Sequence, residues 1–264
     1  MRTHTGIPVL HFDRIDSTNA EARRLAEQGE RGPLWIVASE QTGGRGRHGR
    51  QWVSEPGNLY ATRLFAIAAE PAVATQLSFV AAVAVREAVT KLFPDISPRI
   101  KWPNDLLIDG AKFCGLLPEV VAQSPTTIAL GCGINIAHAP GDTPYSTTYL
   151  LARHPGKNRP PSQPWIPDFA GMTEWVERVF VELDRAVSGT LRNWNEGQGF
   201  ARIRDLWSKH ALGLDSLCTT EHGKGIFRSL AIDGALILEL ADGTRKHIHS
   251  GEVRFVEVER LRRT

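Results

Sequence analysis

The sequence predicts an α+β fold in which a mixed β-sheet is packed by helices and is followed by a small β-barrel at the carboxy terminus. Three observations support this prediction. Apolar segments of strand length recur through the first half of the chain, a long apolar helix interrupts them, and short strands with Asp-Gly turns follow residue 213. With 264 residues, 42% of them hydrophobic, we expect a large domain over residues 1–212 and a small one over residues 213–264.

The elements of the large domain can be assigned in chain order from periodicity and capping signals. The polar side chains of residues 16–19 are typical of a helix start, Gly29 of a helix end and Pro71 of a first helical turn. Asp109-Gly110 predicts a tight hairpin turn. The predicted strands are residues 9–15, 35–39, 58–67, 99–102, 105–108, 112–121 and 126–136, and the predicted helices are residues 20–26, 71–92, 172–187 and 200–210.

Two segments follow other patterns. Residues 137–171 are rich in Pro, Gly, Ser, Thr and Asn, and the prolines of residues 159–167 disfavour both a helix and a central strand, so we expect an irregular, exposed excursion. After Gly213, Asp-Gly turns at residues 233–234 and 242–243 separate short strands that end near Val258. These strands predict the small barrel.

Composition excludes several classes of protein. Lys and Arg number 31 against 29 Asp and Glu, so no global field favours nonspecific binding to nucleic acid or to an anionic membrane. We expect no run to reach the roughly eighteen apolar residues of a membrane span, and the first residues lack the apolar core of a signal peptide. Both observations predict a cytoplasmic protein. Cys114, Cys132 and Cys218 are far apart and are interpreted as buried thiols.

The most informative segment is residues 41–52, here called the Gly/Arg loop. Four glycines and three arginines lie within residues 43–50, between Gln41 and Trp52. Glycines allow backbone N–H groups to face an anion, guanidinium groups pair with phosphate oxygens, and an indole can stack on a base. The loop therefore predicts a phosphate site, although a solvated surface loop or an RNA-binding segment has the same composition.

Two polar clusters accompany the loop. Residues 17–19, Ser-Thr-Asn, stand at a helix amino terminus, where they can cap the backbone or bind a small polar group. Residues 101–105, Lys-Trp-Pro-Asn-Asp, combine a cation, an indole, a turn and a carboxylate between apolar strands. A surface turn with a buried Trp is the alternative interpretation of this second cluster.

Two of the predicted strands, residues 112–121 and 126–136, have faces whose composition is unusual for a strand. Strict alternation places Lys112 on an apolar face with Cys114 and Leu116, so that its ammonium needs a protein carboxylate or a ligand, unless it simply reaches solvent. In residues 131–135, alternation places two glycines and Asn135 on one face. The missing side chains would leave a floor for a flat heterocycle, and a β-bulge is the competing explanation.

These motifs, in this order, resemble those of the biotin protein ligases, also called biotin–[acetyl-CoA-carboxylase] ligases. The resemblance covers residues 9–137 and, more weakly, residues 250–253. It implies a class II synthetase-like catalytic domain with an SH3-like barrel. It also implies that biotin and MgATP form biotinyl-5′-adenylate and pyrophosphate, after which a lysine of a biotin carboxyl carrier protein attacks the adenylate.

The resemblance further implies roles for individual residues. Arg47 would hold phosphate, Lys112 would bridge the biotin carboxylate and the α-phosphate, and Asp105 would orient the incoming lysine. The implied biotin-binding residues are Ser17, Thr18, Asn19, Gln41, Gly44, Arg45, Gly46, Arg47, Lys112 and Gly115. The implied ATP and adenylate ligands are Arg45, Arg47, Trp52, Lys112 and Asn135, and metal ligands stay unassigned.

Several further expectations complete the hypothesis. The Gly/Arg loop should be a lid that is mobile without ligand and closes over the adenylate, since its glycines are costly to order. Few residues precede the first strand, so no DNA-binding module is expected, and a homodimer is left open. No active-site residue is assigned after residue 213. The rival hypotheses are a lipoate or octanoate ligase or transferase of the same fold, and an RNA-binding protein that uses the Gly/Arg loop.

Overall fold

The computed structural model describes residues 2–153 and 169–255, which form two β-sheets and four α-helices. The strands are β1 Val9–Ile15, β2 Leu34–Gln41, β3 Leu59–Ile67, β4 Arg99–Lys101, β5 Asp105–Ile108, β6 Ala111–Gln123, β7 Thr126–Ile134, β8 Leu217–Thr220, β9 Gly223–Leu230, β10 Leu236–Glu239, β11 Arg245–Ile248 and β12 Arg254–Phe255. The helices are α1 Thr18–Glu27, α2 Leu77–Leu92, α3 Phe169–Trp194 and α4 Phe200–Lys209.

The first sheet is mixed, as the sequence predicts. Its strand order is β1-β2-β3-β7-β6-β5-β4, with β1 and β2 parallel and the other pairs antiparallel. Side chains of β2 alternate between two apolar layers, with Trp35 and Val37 in one and Ile36 in the other. The sheet is therefore covered on both faces.

The two faces are covered unequally. Helix α1 packs on one face through Ala22 and Ala26. Helices α2, α3 and α4 contribute to the much larger core on the other face, where α2 is buried on most sides. Because α2 is enclosed by the fold, its apolar character reflects a core helix.

One expectation about membranes needs correction. By length and composition, the helical segment Pro71–Leu92 is long and apolar enough to cross a membrane, although no such run was expected. In the structure, 61% of its most apolar window is buried inside the protein. The segment begins with a 3₁₀ turn, Pro71–Gln76, and continues as α2.

The second sheet is antiparallel, with the order β11-β10-β9-β8-β12 among the described residues. Its inward residues, such as Phe227, Leu238 and Phe255, join the same apolar core as α2. The expected fold class is confirmed, and the second sheet contacts α4 through β9.

Several element boundaries differ from the prediction. Helix α1 begins at Thr18 rather than residue 20, because Ser17 is the N-cap. Leu150 and Leu151 are buried in a short 3₁₀ turn, so part of the segment predicted to be exposed belongs to the core. The proline-rich residues 159–167 and the predicted strand end at Val258 lie outside the described residues.

Candidate active site

A cavity of about 450 Å³ opens where the two sheets meet. Its walls come mainly from the start of α1, the Gly/Arg loop, the β4–β5 turn, strands β6 and β7, residues 144–146 and residues 251–255. Most of the predicted site residues line it, namely Ser17, Thr18, Asn19, Gln41, Arg45, Gly46, Arg47, Trp52, Asp105, Lys112 and Gly115. The fold therefore gathers into one volume motifs that are far apart in sequence.

One end of the cavity is a network of neutral polar groups. The backbone N–H of Thr18 donates to Gln41 Oε1 at 2.8 Å, and its hydroxyl lies 3.1 Å from the same oxygen. Gln41 Nε2 donates to Ser54 Oγ at 2.9 Å. These bonds fix the Gln41 amide and the start of α1, so that neutral donors and acceptors are presented in a defined orientation.

Asn19 links the start of α1 to the strands beside this end of the cavity. Its Nδ2 donates to Glu119 Oε2 at 2.7 Å, and its Oδ1 lies 2.7 Å from Thr62 Oγ1. A Cβ built on Gly131 would lie 2.4 Å from Asn19 Oδ1. Gly131 thus leaves the space that the Asn19 side chain fills, which joins α1 to β7.

The middle of the cavity has a glycine floor made by Gly133, which was expected there, and by Gly115 of β6 in place of Gly131, and an indole lies on it. A Cβ built on Gly133 would lie 2.6 Å from Trp52 Nε1, and one on Gly115 would lie 2.8 Å from Trp52 Cζ3. The Trp52 Nε1–H is buried and has no acceptor among the described residues. Contact with the floor, and not a hydrogen bond from the indole, therefore sets the position of the ring.

Lys112 lies beside this floor, on a different face from the one predicted. The register of β5 against β6 shifts between Leu106 and Leu107, so strict alternation fails at the start of β6. As a result Phe113 enters the core, and Lys112 Nζ lies 3.4 Å from the Cβ position of Gly115. The expected anion is present, because Asp105 Oδ1 is 2.7 Å from Nζ.

The three arginines of the Gly/Arg loop have separate partners. Arg45 lies 3.8 Å from Glu119, Arg47 Nη1 donates to Asn104 Oδ1 at 3.4 Å, and Arg50 pairs with Glu252 of the second sheet. Burial lowers the pKa of Arg47, and the nearby Asp105 partly opposes this effect. An arginine stays charged under such a shift, so Arg47 brings a partly desolvated cation to the cavity.

Two of the predicted site residues, Asn135 and Gly44, lie outside the lining of the cavity. Asn135 does not line the cavity: it is 2% exposed, and its Nδ2 donates to Thr148 O at 3.2 Å. Gly44 is also buried beside the cavity wall, where a Cβ would lie 2.4 Å from Trp52 O. Asn135 therefore holds the segment after β7 in place, and Gly44 permits the close packing of the Gly/Arg loop.

The sequence analysis missed other wall residues. Residues 251–255 of the second sheet face the cavity, although no site residue was expected after residue 213. Trp102 Nε1 donates to Gly234 O at 3.2 Å, which joins the second sheet to the β4–β5 turn. Tyr145 also lines the cavity, with its ring centroid 5.2 Å from Lys112 Nζ. The glycine-glutamate pair at residues 251–252 was the available signal for the first of these.

Comparison with known proteins agrees with this geometry. A model of the Biotin/lipoate A/B protein ligase family matches residues 11–135, and one of the Biotin protein ligase C terminal domain matches residues 219–256. The chain is 36% identical over 249 residues to a biotin–[acetyl-CoA-carboxylase] ligase of Paracoccus denitrificans, covering 92% of this chain and 98% of that relative. It is 31% identical over 258 residues to the bifunctional ligase/repressor BirA of Bacillus subtilis, covering 94% and 74% respectively.

A solved structure extends the likeness to three dimensions. The biotin protein ligase of Aquifex aeolicus in complex with biotin and ATP matches with a TM-score of 0.73 and 25% identity, covering 94% of this chain and 98% of that one. The two family models together span both sheets of the fold. The chain belongs to the biotin protein ligase family.

Proposed function

We propose that this protein is an ATP-dependent biotin ligase that forms biotinyl-5′-adenylate and transfers biotin to a lysine of a biotin carboxyl carrier protein. The observation that carries the proposal is the placement of Lys112 and Asp105 beside the Gly/Arg loop, at the opposite side of a glycine floor from the Thr18–Gln41 network. A neutral polar end and a cationic end in one cavity suit a ligand with a polar head and a carboxylate tail.

Adenylate formation requires two anions to approach each other. The ureido group of biotin would bond to Thr18 and Gln41, and its carboxylate would lie at Lys112. A carboxylate oxygen then attacks the α-phosphorus, and pyrophosphate leaves with the electron pair of the broken P–O bond. Lys112 and Arg47 lower the repulsion between the two anions and stabilise the charge that develops at phosphorus.

Carrier biotinylation reuses the Lys112–Asp105 pair. When Lys112 turns to the acyl phosphate, Asp105 loses its 2.7 Å partner and becomes free to accept a proton from the incoming carrier lysine. The ε-amine attacks the acyl carbon, AMP leaves, and an amide bond remains. An unperturbed lysine has a pKa of about 10.4, so the incoming ε-amine is mostly protonated at neutral pH, and a carboxylate that takes its proton generates the nucleophile.

The donor set also fits magnesium that arrives with the nucleotide. The described residues contain no group of three or more His, Cys, Asp or Glu side chains that could hold a metal ion. Mg²⁺ commonly binds substrate phosphates, waters and one or two carboxylates, and Asp105 and Glu252 are the carboxylates on the cavity wall. The ion would neutralise triphosphate charge.

The domain division and location follow as parts of the same proposal. We assign residues 1–212 to biotin and ATP binding and residues 213–264 to the small barrel, which contributes a wall to the cavity. The buried, unpaired thiols of Cys114, Cys132 and Cys218 are compatible with the reducing cytoplasm.

The function is tested by biotin-dependent exchange of pyrophosphate into ATP and by labelling of a carrier domain. We expect the native chain to do both, and Lys112→Ala and Arg47→Ala to depress adenylate formation sharply without a change in circular dichroism. Exchange that depends on lipoate and ignores biotin would identify the rival ligase. Salt-sensitive RNA retention without ATP turnover would support the RNA-binding alternative.

A further inference from the structure

We propose that Tyr145 is a positioning residue for Lys112, and that its ring holds the lysine ammonium over the cavity while leaving the N–H donors free for substrate oxygens. This inference rests on the proposed function, because it assigns Lys112 a role in adenylate formation. Tyr145 belongs to none of the motifs that the sequence analysis singled out, and it reaches the cavity from the segment that follows β7.

The surroundings of the ammonium carry the inference. Lys112 Nζ lies 5.2 Å from the Tyr145 ring centroid, 5.3 Å from the Trp52 ring centroid and 2.7 Å from Asp105 Oδ1. Two aromatic faces and one carboxylate thus surround a cation whose side chain is only 16% exposed. Aromatic faces attract a cation through their quadrupole without accepting a conventional hydrogen bond from it.

The backbone links Tyr145 to the same lysine. The Lys112 N–H donates to Ser146 O at 2.8 Å, and Lys112 O accepts from Thr148 N at 2.9 Å. These bonds align residues 146–148 with the start of β6, so that the residue next to Ser146 must lie near the Lys112 side chain. The ring is therefore carried by a segment that is fixed to the lysine's own backbone.

This arrangement gives Tyr145 a task that Asp105 and Trp52 do not share. Asp105 must release the ammonium when the substrate anions arrive, and Trp52 lies on the Gly/Arg loop, which we expect to move. Tyr145 keeps its attraction for the ammonium throughout, because a ring face does not compete with carboxylate or phosphate oxygens for the N–H donors. Loss of the ring would leave Lys112 less well placed for the transition state.

The test compares Tyr145→Leu, Tyr145→Phe and the control Tyr149→Leu, whose ring packs against the core four residues further along. Biotin-dependent pyrophosphate exchange by the native chain first establishes the proposed function. We then expect Tyr145→Leu to lower kcat for adenylate formation about fivefold, Tyr145→Phe to recover most of this loss, and Tyr149→Leu to change thermal stability but not kcat.

A double-mutant cycle separates positioning from a general structural effect. In a Lys112→Met background, measured by single-turnover adenylate formation, Tyr145→Leu should cause no further loss, because the group on which the ring acts is gone. The inference is overturned if Tyr145→Leu retains native kcat, if Leu and Phe are equally impaired, or if the losses from Tyr145→Leu and Lys112→Met multiply. A native chain that makes no adenylate would instead refute the proposed function.

Discussion

Gly133 gives the sharpest quantitative test of the site, because alanine at this position adds a single carbon under the Trp52 indole. That carbon would lie 2.6 Å from Trp52 Cε2 and Nε1, whereas ordinary contacts are 3.4–4 Å. The indole must therefore rise by about 0.8 Å, or the Gly/Arg loop must lift with it. A misplacement of about 1 Å near reacting atoms can cost about a hundredfold in rate, so we expect adenylate formation to fall about 10- to 100-fold in Gly133→Ala.

Stability should respond differently from activity. Alanine is favoured over glycine in a strand interior by about 0.5–1 kcal/mol, which offsets part of the strain, so the melting temperature should change by only a few degrees. Biotin affinity should also be preserved, because the Thr18–Gln41 network lies at the other end of the cavity. Titration calorimetry with biotin and pyrophosphate exchange measure the two quantities separately.

Two controls make the result decisive. Gly141→Ala adds the same carbon at an exposed glycine with no atom within 4 Å of the new Cβ, and it should keep native exchange. In a Trp52→Leu background, Gly133→Ala should have little further effect, since the clash is with the indole. Native adenylate formation by Gly133→Ala would refute the idea that the glycine floor positions Trp52.

Three further predictions concern stability and loop closure. Asp184→Asn should lower the free energy of unfolding by about 3 kcal/mol in urea titrations, because it leaves the buried guanidinium of Arg63, 3.4 Å away, without its anion; a loss below about 1 kcal/mol would contradict this. Arg24 lowers the pKa of Asp16 to about 2, so the stabilisation from this pair is present above the ordinary value of 3.8 and is lost as pH falls toward 2. Arg24→Gln should therefore unfold at a lower temperature than the native chain near pH 5 but not near pH 2. The loss in the free energy of unfolding should be at most about 1 kcal/mol, because both groups are half-exposed. An equal difference in unfolding temperature at both pH values would exclude the ion pair as its source. Trypsin cleavage within the Gly/Arg loop should slow when biotin and ATP are added together, and undiminished cleavage would argue against a lid.

Local patterns were sufficient to predict much of the fold. The opposite faces of Trp35 and Ile36 follow from strand alternation alone, and the burial of α2 follows from its apolar composition. The alternation of side chains along β7 also places Gly133 in the floor under Trp52. Each of these features depends only on neighbours along the chain.

The structure differs from the local patterns in features that depend on other parts of the chain. The face of Lys112 depends on the pairing of β5 with β6, in which Phe113 of β6 is skipped, and alternation within β6 does not indicate this. Asn135 stays a predicted adenine contact, and its Nδ2 donates to Thr148 O, whose position follows from the pairing of residues 146–148 with Lys112. The wall formed by residues 251–255 depends on how the second sheet packs on the first, which no local pattern specifies.

The hydrogen bond from Trp102 to the Gly234 carbonyl has a consequence for protein engineering. A chimaera that exchanges the second sheet between two relatives would replace Glu252, the counter-ion of Arg50. It would also change the turn at Gly234 that accepts the hydrogen bond from the Trp102 indole. A Cβ at Gly234 would lie 2.7 Å from the Phe79 ring, so a grafted turn with a larger residue would tilt the whole graft. Such chimaeras should keep the cavity only when the donor protein supplies a glycine at the position of Gly234.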